Sequence, residues 1–156
     1  NSLLNSRIEG FNNNKPDLFI IDLKLKLKKK LLLNKYLKKR KTYIVTSISN
    51  LKKTVMYKKK GYKIIFINQL KKKIDFILLF KKIYKKKYSR VLIESGLTFL
   101  NTLLKNNLLN NLYIFKSNEK LGKNGKNNDT SKYLKKISPK LITINLNGDN
   151  LFKKEF

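Results

Sequence analysis

The run Val91-Leu92-Ile93-Glu94-Ser95-Gly96-Leu97-Thr98-Phe99-Leu100 decides how the rest of the chain is read. Its opening is apolar and closes on a carboxylate, which predicts a buried strand from Arg90 to Glu94. Ser95-Gly96 then turns the chain. From Leu97 to about Asn106, apolar residues at 99, 100, 103 and 104 recur with helical spacing. That helix gives way through Asn106-Asn107 and Asn110-Asn111 to a second apolar stretch, Leu112-Tyr113-Ile114-Phe115. Strand, helix and strand in quick succession form a crossover unit, and such units join parallel strands.

Working outward, Leu18-Phe19-Ile20-Ile21-Asp22, Thr42-Tyr43-Ile44-Val45-Thr46 and Tyr62-Lys63-Ile64-Ile65-Phe66-Ile67 read as three short strands with little helix between them. Between Asp75 and Lys85, apolar residues at 76, 79, 80, 83 and 84 make a helical stripe, with Asp75 placed to serve as N-cap. Residues 123–132 are rich in Gly, Asn, Asp and Ser and read as a loop. Leu141-Ile142-Thr143-Ile144-Asn145-Leu146 alternates and turns at Asn147-Gly148-Asp149 toward Leu151-Phe152, a closing hairpin. The expected class is α/β with a mixed sheet, in one domain spanning 1–156 with no internal repeat or boundary.

Composition removes many chemistries. The 156 residues hold no His and no Cys, so a disulfide framework, a thiolate nucleophile, a Ser-His-Asp triad and the usual nitrogen and sulfur zinc ligands are excluded. The 38 Lys plus Arg stand against 9 Asp plus Glu for a formal charge of +29, yet only Arg7, Arg40 and Arg90 are arginines. Phosphate and base readers favour the guanidinium fork over the solvated lysine point charge. Ala and Trp are absent, while Lys, Asn, Ile, Leu, Phe and Tyr abound, and those residues have A/T-rich codons. The charge is therefore read mostly as the background of an AT-rich genome. Leu, Ile, Val and Phe make up 55 residues, or 35% of the chain, well above the roughly 20% below which a charged chain stays disordered. No apolar run approaches a membrane span and no signal pattern opens the chain, so the cytoplasm is the expected compartment.

Each candidate site residue has two readings. Glu94, closing an apolar strand in an acid-poor chain, faces a ligand's ribose or base beyond the strand ends, or pairs with one of the many lysines. Gly96 lets backbone approach a phosphate at a helix N-terminus, with Ser95 and Thr98 as hydroxyl donors, or simply forms a tight turn. Arg7 suits a bidentate phosphate contact, or a surface pair with Glu9. The lysine runs lie between the predicted elements and read as solvated loop charge. Tyr36, Tyr43, Tyr57, Tyr62 and Tyr84 among them leave a single-strand nucleic-acid platform as a lesser reading, and 31–41 a helix on anionic lipid. Neither a specific nucleic acid nor a membrane is the expected partner.

The run from Val91 to Leu100 resembles the reductase domain of the bifunctional riboflavin-biosynthesis deaminase-reductase, whose strand reads Val-Glu-Gly-Gly before a helix. The likeness continues without a gap through Asn107-Leu108-Leu109-Asn110-Asn111-Leu112, Tyr113-Ile114-Phe115 and Leu121-Gly122. Asn1-Ser2-Leu3-Leu4-Asn5-Ser6-Arg7 is similar to the family's Asp-Pro-x-Leu-Thr-x-Arg. Pro16 to Asp22 is similar to its Pro-x-Arg and strand ending in Asp, and Gly148-Asp149 with Leu151 to its closing strands.

The resemblance implies a dihydrofolate-reductase-like fold, a mixed sheet flanked by helices, here lacking its first strand and helix. It implies NADPH-dependent reduction of the ribosyl group of 5-amino-6-(5-phosphoribosylamino)uracil to ribityl. It places Leu4, Arg7 and Glu94 at substrate positions, and Gly96, Leu97, Thr98, Phe99, Leu100, Asn101 and Thr102 in the cofactor segment. A small-molecule substrate, a homo-oligomer and a fused or upstream zinc deaminase domain are the partners it implies, with this chain a C-terminal portion. Four positions depart: Ser95 replaces the first Gly, Asn110-Asn111 an Asp-Glu pair, and Leu18 an Arg. The alternative class is a basic RNA-binding or ribosome-associated protein without catalysis, which gives no reason for Glu94-Ser95-Gly96 to stand before a helix.

Overall fold

Thr42-Tyr43-Ile44-Val45-Thr46-Ser47 is apolar or aromatic at consecutive positions, so neither of its faces suits water. A strand of this kind belongs inside a sheet covered on both sides. The computed structural model describes residues 16–28, 31–117, 133–146 and 148–156. They divide into two compact units between Arg90 and Val91, each treated by itself.

In the first unit β1 (Leu18–Ile21), β2 (Thr42–Ser47) and β3 (Lys63–Ile67) form a parallel sheet in the order β1-β2-β3. Leu18 stands opposite Thr42, and Tyr43 opposite Lys63. The three strands fall where the sequence predicts them. Ile44 and Val45 have no exposed surface, and they point to opposite faces. Val45 joins Tyr43, Ile65, Ile67, Leu79 and Ile83 in one cluster, whereas Ile44 joins Leu33, Tyr57 and Tyr62 in another. The sheet is thus the middle of three layers, and each fully buried aliphatic side chain in it contributes about 1.5–3 kcal/mol.

Parallel strands cannot be joined by tight turns. The β1–β2 connection contains a short 3-10 turn, Leu32–Tyr36, which buries Leu33, and the β2–β3 connection contains a helix that the sequence reading did not expect, α1 (Leu51–Lys59). Its pattern hides it, because the buried residues are Thr54 and Tyr57, not an apolar stripe. The polar groups are satisfied on the spot. Thr54 Oγ1 donates to the Leu51 carbonyl at 2.6 Å, and the Tyr57 hydroxyl donates to the Leu27 carbonyl at 2.6 Å. Gly61, at φ +100°, ends α1 in the left-handed conformation, with the Tyr62 N–H donating back to the Tyr57 carbonyl at 3.1 Å.

The second helix, α2 (Lys73–Tyr84), buries Phe76, Leu79 and Ile83, as its stripe predicts, but Tyr84 is exposed. Asp75 is not its N-cap. It sits at the third helical position, where one carboxylate oxygen accepts the N–H groups of Lys72 and Lys71 at 2.9 and 3.0 Å.

The second unit holds α3 (Leu97–Lys105) and an antiparallel sheet in the order β4 (Asn111–Lys116), β6 (Asp149–Glu155), β5 (Lys140–Leu146). Asn107, at φ 52°, closes α3, and the Leu108 N–H donates to the Leu103 carbonyl. The predicted hairpin is present: Leu146 pairs with Asp149 across a two-residue turn in which Gly148 has φ +97°. Arg90–Glu94 forms no strand, and Val91 and Leu92 are exposed. The expected crossover from that run to β4 is therefore corrected: β4 pairs antiparallel with β6. β-propensity prepares a run for a ladder but does not supply the partner strand. The expected loop at 123–132 lies outside the described residues.

The fold is α/β with both pairing modes and covering helices, consistent with the dihydrofolate-reductase-like class implied by the resemblance.

The N–H bonds from Lys72 and then Lys71 hold the Asp75 carboxyl below its ordinary value. A carboxyl depressed in the folded state contributes stability above its unfolded pKa, and that stability is lost as pH falls through the folded value. Asp75→Ala should lower the Tm at pH 7, and the gap to the parent should close as pH falls below the usual carboxylate range, as thermal unfolding across pH will show.

Candidate functional site

The nine residues of α3 begin at Gly96, an N-cap in extended conformation at φ −73° and ψ 170°. Gly96 has no side chain with which to cap this end, and no acid stands in the first turn. The first intrahelical bond runs from the Leu100 N–H to the Gly96 carbonyl at 3.1 Å, so the N–H groups of Leu97, Thr98 and Phe99 precede the ladder. They give the helix start the positive end of its dipole. An L residue could adopt the backbone angles of Gly96, and a Cβ built there would meet no atom within 4 Å. Neither conformation nor packing among the described residues demands glycine here. What glycine supplies is open access to backbone N–H groups, and that suits an approaching phosphate.

Around this point the expected residues differ in what they can offer. Glu94 and Ser95 are exposed just before the helix, and Thr98 is exposed on its first turn. Among the described residues Glu94 takes part in no ion pair, so the lysine pairing that was its alternative is not formed there. Leu97, Phe99 and Leu100 are half-buried, and Asn101 is buried with Leu103 on the covered face of α3. The Thr102 hydroxyl turns back into the helix and donates to the Thr98 carbonyl at 2.9 Å. The outward surface is therefore Glu94, Ser95, Gly96 and Thr98. Leu4 and Arg7 lie outside the described residues.

A second polar group, not anticipated from the sequence, organises the carboxyl ends of β1 and β2. The Asn50 amide donates to the Leu23 carbonyl at 2.8 Å and to Thr46 Oγ1 at 3.0 Å. Asp22 accepts the Leu27 N–H at 2.7 Å, while Leu25 between them is left-handed at φ 51°. Ser47 and Ser49 bond to each other at 2.9 Å at the start of the connection to α1. In open sheets the carboxyl ends of strands are the usual ligand side. The cluster Thr46-Ser47-Ile48-Ser49-Asn50, hydroxyls and amide directly after a strand, was the available signal. A groove of about 520 Å³ opens nearby, with Leu25, Leu27, Met56 and Tyr57 within it and lysines 28, 52 and 53 around it. It contains none of the expected site residues.

The family model described as the RibD C-terminal domain matches residues 1–141, a span that includes Leu4, Arg7 and all of 91–102. No curated protein matches the chain. Among the described residues no helix is long and apolar enough to cross a membrane.

Because Gly96 is free of packing, Gly96→Ala should shift folding stability by no more than about 0.5 kcal/mol in urea unfolding. A larger loss would mean that the glycine serves the fold.

Proposed function

The chain belongs to the RibD C-terminal domain family, and from that premise we propose that it is a pyrimidine reductase of riboflavin biosynthesis that uses NADPH. Membership supports the oxidoreductase class and the pathway. The substrate, the ribosylaminouracil phosphate, and the cofactor follow from the resemblance. The observation that carries the reading is the start of α3: a helix end whose N-cap has no side chain, an accessible glycine with no conformational reason to be one, and an exposed carboxylate two residues earlier.

These residues fit an anionic cofactor. The N–H groups of Leu97 and Thr98, with the Thr98 hydroxyl, would hold a phosphate against the helix dipole. Gly96 would keep a Cβ out of that approach. NADPH supplies the hydride, which is why a chain with no His and no Cys can serve the reaction. What remains for the protein is positioning and charge. Glu94 would accept hydrogen bonds from substrate hydroxyls or a ring N–H, fixing the sugar against the cofactor. Arg7 would take the substrate phosphate with its guanidinium fork, a geometry that Lys cannot reproduce. Leu4 would border the same substrate. Asn101 and Thr102 complete the same cofactor segment, the first buried on the covered face of the helix and the second with its hydroxyl bonded to the Thr98 carbonyl.

Two substitutions test the assignment, with NADPH oxidation followed by its absorbance. Glu94→Gln and Arg7→Lys should each lower kcat/KM, by about tenfold or more, if each removes a hydrogen bond to a charged group worth about 1.5–3 kcal/mol. Unchanged kinetics in both would remove the site assignment.

A further inference from the structure

Arg40 stands at the bend leading into β2 and is only 5% exposed. Its Nε, Nη1 and Nη2 are all buried with no hydrogen-bond partner among the described residues, and the same holds for Oγ1 of Thr42, two residues on. A guanidinium does not give up its proton in a protein, so it cannot escape burial by neutralising. Burial lowers its pKa against the opposing pull of Asp17 and Tyr36. Left alone, such a group is strongly unfavourable.

Asp17 is close enough to act on Arg40 as a countercharge but accepts no hydrogen bond from it. Asp17 Oδ1 accepts the Lys41 N–H at 2.8 Å, and Oδ2 accepts the Tyr88 hydroxyl. Burial first, and then that bond, push the Tyr88 phenol upward, so its proton stays in place. On the Ile44 face of the sheet, the Tyr57 hydroxyl is given to the Leu27 carbonyl and the Tyr62 hydroxyl to Asn34 Oδ1. Four orphan donor atoms thus stand close in sequence at one end of β2, with a permanent positive charge among them. The burial is shallow, because Lys39 and Lys41 on either side are exposed. Lysines 38, 39 and 41 also raise the local concentration of anions.

We propose that Arg40, with the Thr42 hydroxyl as a further donor, forms an internal site for a small monovalent anion of the halide type. A single spherical ion can accept from a guanidinium edge and a hydroxyl together without the fixed lone-pair directions of an oxyanion. The near-complete enclosure of all three nitrogens favours a compact ion that sheds its hydration shell readily, which chloride and bromide do and fluoride does not. The site completes the core at the mouth of β2, and it does not depend on the reductase reading.

Bromide is the probe. Crystals of the chain grown in sodium bromide should show an anomalous peak within hydrogen-bonding reach of the Arg40 guanidinium. In solution the Tm in sodium bromide should exceed that in sodium fluoride at equal ionic strength by about 4 °C. Arg40→Met, which keeps length and loses the charge, should abolish that difference, whereas surface lysines contribute equally to both proteins. Bromide found only beside surface lysines, an adventitious ion only, or an equal bromide gain in both proteins, overturns the proposal. Should Arg40→Met not fold, the anomalous map of the parent decides alone.

Discussion

The desolvation of β2 on both faces is the condition from which the first unit follows. Ile44 and Val45 retain no exposed surface, and the strand has a parallel partner on each side. Parallel neighbours impose crossovers. The crossovers in turn need cover for both faces, which the Leu32–Tyr36 turn and α1 supply on one side and α2 on the other. Once the strands run the same way their carboxyl ends gather, and there Asn50 ties the Leu23 carbonyl to Thr46. The polar residues inside this layer are tolerated because each finds an acceptor: Thr54 at Leu51, Tyr57 at Leu27, Tyr62 at Asn34. Arg40 and Thr42 break that rule at the other end of the same strand.

Charge plays a different part from the one its size suggests. A net charge of +29 works against compaction by self-repulsion and promotes non-specific anion binding, but it says nothing about fold. The few carboxylates do local structural work. Asp17 anchors the entrance to β2 through the Lys41 N–H, Asp22 holds the loop after β1, and Asp75 satisfies the first N–H groups of α2. Glu155 pairs with Lys153 on β6, a pairing that lowers the carboxyl and raises the amine from their ordinary values. Against that usage Glu94 is unusual, since it stands exposed without an ion pair among the described residues.

What could be read from the residues follows the strength of the local signal. β1, β2 and β3 are short apolar runs between polar stretches, and α2 and α3 carry apolar stripes, so all five were legible. The hairpin of β5 and β6 was announced by Asn147-Gly148, because a two-residue turn favours left-handed residues. α1 was hidden because its inward face is Thr54 and Tyr57, residues whose burial depends on acceptors supplied by Leu51 and by Leu27 in a distant loop. Arg90–Glu94 misled in the opposite sense: Val91, Leu92 and Ile93 have the composition of a strand, and no ladder forms on them. At the candidate site the helix start and the accessible glycine were legible. That Asn101 faces inward depends on which side of α3 is covered, and that Thr102 bonds back to Thr98 depends on its rotamer, neither of which the residue types alone fix.

The central claim is that the first turn of α3 receives the anionic part of a nicotinamide cofactor. Amide chemical shifts followed by NMR during titration with NADP test it most directly. The account predicts saturable shifts at Leu97 and Thr98 that persist at salt concentrations sufficient to silence the lysine-rich loops. Shifts confined to those loops, fading with added salt while the α3 amides stay still, would contradict it.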